Sequence, residues 1–332
     1  MGVSSLTSLE FCAGAGGQAL GLEFAGFAHA AAVEIDISAC ATLRENRPEW
    51  NVINNDIREV SGHAYSGVAL LAAGVPCPPF SIAGRQLGAD DSRDLFPTAL
   101  RLVAEAKPEA VLLENVPGLA TARFAEYRRQ LSEKLHALGY QVFSQVLNAC
   151  NYGVPQLRPR FILVALRGKA ASRFAWPAPA GAPPSVGNTL VDLMSSRHWP
   201  GAQAWASKAG GVAPTLVGGS KLHGGPDLGP TRARKAWMDL GVDGRSVADA
   251  PPPADYPLDG NPRLTVQMAA RIQGFPDEWV FCGKKTAAYR QVGNAFPPPV
   301  AAAVGSAISR ALHGLPPAYE PAQSSLPFSR DD

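Results

Sequence analysis

Cys77 stands in the segment Gly74-Val75-Pro76-Cys77-Pro78-Pro79-Phe80-Ser81. Prolines on both sides of one thiol fix φ and remove backbone donors, which stiffens the loop and aims the side chain outward. A structural cysteine is ordinarily buried among apolar side chains, and a Pro-Cys-Pro-Pro loop is a poor place to bury one. The segment therefore predicts a nucleophile. Downstream, Glu114-Asn115-Val116 follows the apolar run Val111-Leu112-Leu113. A carboxyl at such a strand end, when protonated, donates from one oxygen and accepts at the other. Its plain alternative is to cap the following turn. In Gln156-Leu157-Arg158-Pro159-Arg160, the two arginines fall on one side of an extended stretch, because side chains two apart share a face. One guanidinium is suited to orient a substrate oxygen or the thiol loop, the other to hold Glu114 or a phosphate. Taken alone, such a pair is ordinary exposed charge.

A thiol, a protonatable carboxyl and a guanidinium together suit conjugate addition to an electron-poor ring. Cytosine C5 is a poor nucleophile. Adding a thiolate at C6 generates an enamine that attacks a methyl group. Charge at N3 and N4 must then be stabilised, which Glu114 can do, and the base must leave its stack.

The source of a methyl group is suggested at the N-terminal end. Phe11-Cys12-Ala13-Gly14-Ala15-Gly16-Gly17 follows a predicted strand and opens a predicted helix. Glycines there let the backbone turn tightly and approach a ligand. Such a loop by itself is equally a plain strand-to-helix turn. Glu34 ends the next strand, where a carboxylate accepts both hydroxyls of a ribose. Asp56 lies at the strand end after that, within reach of an adenine amino group. Each acid alone is more often a cap or a solvated loop residue; with the glycine loop they describe an adenosine pocket. The glycines fall as GxGG rather than the dinucleotide GxGxxG, which favours a single nucleoside such as S-adenosylmethionine.

These groups must be carried by a framework, and the hydrophobic pattern supplies one. Strands are predicted at 8–12, 30–35, 68–72 and 111–114, and helices at 17–25, 38–46, 93–106 and 124–138. The alternation implies an α/β fold with a mostly parallel sheet. Runs at 141–147 and 161–166 suit an antiparallel edge on it. From Phe174 to Asn261 the chain is rich in proline and glycine, yet Trp176, Trp199, Trp205 and Trp237 argue for a smaller, loop-rich domain over a disordered linker. Helices return at 264–273 and 298–312. The tail after Gly314 is polar and is expected to fray.

Composition sets the outer limits. The chain has 332 residues, 46% hydrophobic and only 17% charged, with a formal net charge of +2. That excludes wholesale disorder and implies two domains, or one large domain with an insertion. The charge neither announces nor forbids a nucleic-acid partner. Five cysteines form no CxxC pair, so neither a disulfide framework nor a structural metal site is expected. No run reaches membrane-spanning length, and the protein is expected to be cytoplasmic.

Taken in order, the motifs resemble those of bacterial C5 cytosine-specific DNA methyltransferases over nearly the whole chain. Phe11, Gly14, Gly16 and Gly17 look like that family's cofactor loop, Glu34 and Asp56 its ribose and adenine carboxylates, and Pro76-Cys77 its catalytic dipeptide. Glu114-Asn115-Val116 and Gln156-x-Arg158-x-Arg160 match two further motifs. So do Arg271-Ile272-Gln273-Gly274-Phe275-Pro276 and Tyr289-Arg290-Gln291-Val292-Gly293-Asn294-Ala295.

The resemblance implies a Rossmann-like, S-adenosylmethionine-dependent catalytic domain (1–172 and 287–314), a target recognition domain (173–286) and a flexible tail (315–332). It implies catalytic roles for Cys77, Glu114, Arg158 and Arg160. Cofactor contacts are implied at Phe11, Gly14, Ala15, Gly16, Gly17, Glu34, Ile35, Asp56, Ile57, Pro76, Asn294 and Ala295. Double-stranded DNA contacts are expected at Ser81, Gln156 and Thr215, and the charges of Arg232, Arg234 and Lys235 suit them to track the DNA backbone. Those basic residues are equally read as a solvated face. A monomer is expected, with a cognate restriction endonuclease as a separate partner. Two positions depart from the family pattern: Pro78 stands where many members have Gln, and the acid before the loop is Glu10, one position from the usual Asp. A tRNA cytosine-5 methyltransferase would share the chemistry, and a catalytically silent DNA-binding protein would share the fold. A nicotinamide dehydrogenase accounts only for the glycine loop and Glu34.

Overall fold

A computed structural model describes residues 5–75, 94–219 and 225–318. Pro76, Cys77, Pro78 and Ser81 lie outside the described residues, as do the first residue of the helix expected at 93–106 and the tail from 319 onward.

The first part of the chain runs β1 (Leu6–Phe11), α1 (Gly17–Phe24), β2 (Phe27–Glu34), α2 (Ile37–Asn46), β3 (Val52–Asn54), β4 (Leu70–Gly74), α3 (Phe96–Ala106), β5 (Ala110–Asn115) and α4 (Ala125–Ala137). It continues through β6 (Tyr140–Asn148), β7 (Gln156–Leu157), β8 (Pro159–Arg167) and α5 (Gly168–Arg173). A seven-stranded sheet forms in the order β3-β2-β1-β4-β5-β8-β6. The first five strands are parallel, and β8 is antiparallel to both its neighbours. The two late runs do add antiparallel strands, but the later one inserts between β5 and the earlier one. Central strands buried on both faces read as unbroken apolar runs, and Leu70, Leu71, Ala72 and Ala73 are all fully buried. One face packs Leu9, Phe11, Leu71 and Val111 against Phe96, Leu102 and Val103. The other packs Leu70, Leu112 and Val164 against Val300, Val304 and Ile308 of the last helix.

The proline- and glycine-rich stretch is ordered by its tryptophans. It holds α6 (Val186–Ser195), α7 (Ala202–Lys208), β9 (Ala213–Pro214) and α8 (Thr231–Asp239), and is followed by α9 (Val266–Ile272), α10 (Lys285–Asn294) and α11 (Pro298–Leu312). Trp199, Trp205, Trp237, Leu264, Met268 and Phe275 form a core that continues into Ala13, Leu20, Ala32 and Leu43 of the sheet layer. Helices α6, α7, α8 and α10 were not expected, because each is short and three of them sit among turn-forming residues. Of these, α6 has a local start: the Ser185 hydroxyl accepts from the Asn188 amide at 3.1 Å and caps it. Strand β9 pairs in parallel with β7, Gln156 opposite Ala213. This small ladder joins the loop-rich layer to the chain just ahead of β8. Among the described residues no helix is long and apolar enough to cross a membrane.

Candidate active site on the rim of the sheet

Parallel strands end along one rim of a sheet, and ligands of open α/β sheets sit there. Here Phe11, Glu34, Gly74 and Asn115 are the last residues of their strands. Because β8 runs the other way, it delivers its first residues to the same rim, with Phe161 opposite Asn115. Arg160 thereby meets Glu114: its Nε lies 2.8 Å from Oε1. Glu114 is only 8% exposed. Burial pushes its carboxyl up, and the pull of Arg160 and then Arg158 in the opposite direction does not cancel that rise. A carboxyl held this way keeps its proton to higher pH than an ordinary glutamate. Asn115, fully buried, donates from Nδ2 to the Val75 carbonyl at 3.1 Å. That bond ties the start of the Pro76-Cys77 segment to the strand carrying Glu114.

At the other end of the rim, the Glu34 carboxylate fastens the glycine loop. Oε2 accepts from the Gly14 amide and Oε1 from the Asp36 amide, both at 2.7 Å. The loop turns through left-handed conformations at Cys12, Gly14 and Gly16, with φ of 52°, 55° and 86°. The indole of Trp279 roofs it, donating from Nε1 to the Ala15 carbonyl at 3.1 Å. Space above Gly14 is open, since a Cβ there would meet nothing within 4 Å. Beside Glu34, Ile35 is 61% exposed, a bare apolar side chain of the kind that stacks on a planar base. Ile57 is buried. The donors and the open cradle fit an adenosine-bearing ligand: an acceptor carboxylate, an apolar wall and a tightly turned main chain.

Two further residues expected at this end are placed as follows. Phe11, at the rim end of β1, is fully buried with Leu9 and Phe96, on the face of the sheet that alternation gives it. Cys12, partly exposed, occupies the turn instead, and burial together with the charges of Glu34 and Asp56 pushes its thiol up. Asp56 serves as a cap. Its Oδ1 accepts from the Arg58 amide at 2.9 Å and its Oδ2 lies 3.2 Å from the Arg58 guanidinium.

Comparison with known proteins decides what kind of rim this is. The family model of C-5 cytosine-specific DNA methylases matches residues 6–216 and 228–310. The chain belongs to that family. It is 56% identical over 315 residues to the type II methyltransferase M.NaeI of Lentzea aerocolonigenes, covering 94% of this chain and 76% of that one. To the type II methyltransferase M.NgoMIV of Neisseria gonorrhoeae it is 52% identical, covering 92% and 98%. Two solved structures share its fold: a DNMT2 variant of Spodoptera frugiperda (TM-score 0.65, 19% identity, 92% and 99% covered) and the Entamoeba histolytica methyltransferase EhMeth (TM-score 0.65, 14% identity, 94% and 99% covered). The protein is thus a DNA cytosine-5 methyltransferase.

In this methylase several residues expected to touch substrate are instead internal. Arg158 is fully buried. Its Nη1 donates to the Leu216 carbonyl at 2.7 Å, and its Nη2 to the carbonyls of Gly293 at 2.8 Å and Ala295 at 2.9 Å. It ties segments of the framework together where a substrate-contacting guanidinium was expected. Gln156, expected at DNA, is also fully buried: Nε2 donates to Gln273 Oε1 at 2.7 Å and Oε1 accepts from the Leu216 amide at 2.9 Å. Thr215 donates its hydroxyl to the Leu157 carbonyl at 2.6 Å. Asn294 is exposed and its amide donates to the Gly219 carbonyl at 3.1 Å, while Ala295 is buried. Arg232 and Lys235 are exposed on α8, and Arg234 lines a cleft of about 290 Å³ with Val217, Gly219 and Asp227. Sequence reasoning missed Trp279, Gln273 and the hydroxyl of Thr42, which donates to Gln291 Oε1 at 2.7 Å and pins α10 to α2. A Trp five residues beyond Gly274 was the available signal for the first.

Proposed function

We propose that this DNA cytosine-5 methyltransferase works through a covalent adduct between Cys77 and C6 of a flipped-out cytosine, with Glu114 as the acid at N3. The carrying observation is the Glu114–Arg160 pair on the rim, its carboxyl pushed up by burial. A protonated Glu114 donates to N3 while its other oxygen accepts from the N4 amino group, so negative charge on the ring after thiolate addition is neutralised. Arg160 holds that carboxyl in place through Oε1. S-adenosylmethionine supplies the methyl group. Glu34, whose oxygens already accept from the Gly14 and Asp36 amides, would hold its ribose hydroxyls on the remaining lone pairs, Ile35 would pack on the adenine, and the turn at Cys12–Gly16 would line the methionine side. Once C5 carries the methyl group, a base takes the C5 proton, the C6–S bond breaks, and Cys77 leaves as the thiolate.

The chain divides for this purpose into a catalytic domain (1–172 and 287–314) and a recognition domain (173–286), with duplex DNA between them. Unstacking the cytosine costs about a few kcal/mol, recovered from pocket contacts. Arg232, Arg234 and Lys235 on α8 neutralise phosphates, which makes binding salt-dependent. Its relatives' designation as type II methyltransferases supports a modification role alongside a restriction endonuclease. The test uses S-adenosylmethionine tritiated in the methyl group and mixed-sequence duplex DNA. Acid-stable label on DNA is expected from the wild type and none from Cys77→Ala; label transferred by that variant at the wild-type rate would remove Cys77 as nucleophile. Bisulfite sequencing of host DNA after expression then identifies the methylated sequence.

A further inference from the structure

Where the recognition layer meets the sheet layer, a stretch of the apolar core gives way to a seam, a close main-chain contact backed by buried polar side chains. On one side is the segment Leu216–Gly219, which follows β9. On the other is the C-terminal end of α10 and the turn after it, Gly293–Ala295. The two backbones touch: a Cβ on Gly293 would lie 2.4 Å from the Gly218 nitrogen, and a Cβ on Gly218 would lie 2.6 Å from Asn294 Oδ1 and 2.5 Å from the Arg290 carbonyl oxygen. Only glycine fits either position. Asn294 closes the contact by donating to the Gly219 carbonyl at 3.1 Å.

Arg158 stands behind this seam and bonds to both sides of it, to Leu216 on the recognition side and to Gly293 and Ala295 on the other. Gln156 and Gln273 complete the set. Gln156 receives the Leu216 amide and donates to Gln273, and Gln273 donates to the Ala295 carbonyl. Each of these three side chains is fully buried. A buried cation held by carbonyls tolerates little loss of its acceptors, because an unmatched charge there costs several kcal/mol. A shift of either backbone is therefore followed by the other. The same guanidinium also pulls on the Glu114 carboxyl.

The recognition side of the seam faces outward. Val217 is 42% exposed and lines, with Gly219 and Arg234, the cleft beside α8. The opposite side reaches the glycine loop, since a Cβ on Gly17 would lie 2.2 Å from the Phe296 carbonyl oxygen and 3.2 Å from the Ala295 Cβ. We propose that Arg158 is a positioning residue that couples DNA seated against Val217–Gly219 to the cofactor loop through Gly293–Ala295, so that each ligand tightens the other. This rests on the functional reading above, with DNA at the recognition layer and the cofactor at Glu34.

The experiment titrates S-adenosylhomocysteine onto the full-length protein by calorimetry, with and without a duplex carrying the methylated sequence. In the wild type the duplex is expected to tighten S-adenosylhomocysteine by about 10-fold, and by reciprocity S-adenosylhomocysteine tightens the duplex equally. Arg158→Lys and Gln273→Met are expected to bind each ligand singly within about 3-fold of wild type, with the coupling factor reduced to near unity. A fold-scale defect would lower both single affinities without moving that ratio. Gly218→Ala, which wedges the seam open without touching the buried cation, is expected to lose coupling as well, and it decides the matter if Arg158→Lys does not fold. Wild-type coupling in folded Gln273→Met and Gly218→Ala overturns the proposal, as does a wild type that binds both ligands independently. A wild type that binds neither ligand would instead count against the functional reading itself.

Discussion

Glu34 and Glu114 stand at the ends of two strands on one rim, and each is 8% exposed. What holds them differs. Glu34 takes a main-chain N–H on each oxygen, from Gly14 and Asp36. Glu114 takes a guanidinium on one oxygen and is otherwise walled in by the sheet, which pushes its carboxyl up. Equal burial thus produces two kinds of acid. One is an acceptor fixed by the backbone, with lone pairs to spare for two hydroxyls. The other, beside a cation, has its carboxyl pushed up by burial and keeps its proton to higher pH than an ordinary glutamate.

This contrast can be broken by substitution. Glu114→Gln should lower kcat by about 10²–10⁴-fold, the usual contribution of a positioned acid, with duplex affinity retained. Turnover at the wild-type level would end the proton-holder account. In the wild type, the protonated form of Glu114 is present at low pH and is lost as pH rises through its raised pKa. The kcat profile should therefore fall on the alkaline side, and that limb should be absent from the residual activity of the Gln variant. Glu34→Gln should leave kcat largely intact and raise the KM for S-adenosylmethionine by about 10–100-fold, the loss of charge-assisted hydrogen bonds; an unchanged KM would place the ribose elsewhere.

A third buried acid sharpens the comparison. Glu10, on β1 just ahead of the glycine loop, is fully enclosed, and its Oε2 has no hydrogen-bond partner among the described residues. Burial raises its carboxyl well above the usual range. Its folded-state pKa lies above the unfolded value, so the folded state holds the extra proton. Stability is then greatest below the unfolded value and declines as pH climbs through the folded one. Glu10→Gln should raise the thermal midpoint by about 2–4 °C at pH 8, with the gain shrinking at pH 5. Equal gains at both pH values would show that Glu10 carries no linked proton.

Strand-end acids were legible because their placement follows from apolar runs and turn residues alone. Glu34 and Glu114 needed nothing else, whereas the extended stretch left open which arginine meets Glu114, and the antiparallel register of β8 makes it Arg160. The burial of Phe11 was legible in its alternation with Leu9: residues two apart on a strand share a face, and Leu9 is core. Gln156 and Arg158 were taken for ligand-facing groups because the extended stretch shows which residues share a side, but not what covers it. The cover comes from Leu216, Gln273 and Gly293, 58 to 135 residues away, and no local pattern announces a partner at that distance. Helices α6 to α8 escaped for a related reason. Their stability comes from tryptophans packed across the layer rather than from periodicity within each short segment.

The reversed direction of β8 has a consequence for tolerance to length change. Insertions in the helical crossovers of the parallel strands leave Glu34 and Glu114 untouched, because each is fixed by the ladder behind it. Arg160 is the second residue of its strand and comes directly out of the turn at 149–158. Deleting one residue from that turn and letting the strand slip to compensate would exchange its inward and outward side chains. Phe161 or Pro159 would then face the Glu114 carboxyl in place of a guanidinium. The connection before β8 is therefore a gauge block for the Glu114–Arg160 pair, and its length sets which side chain meets that carboxyl.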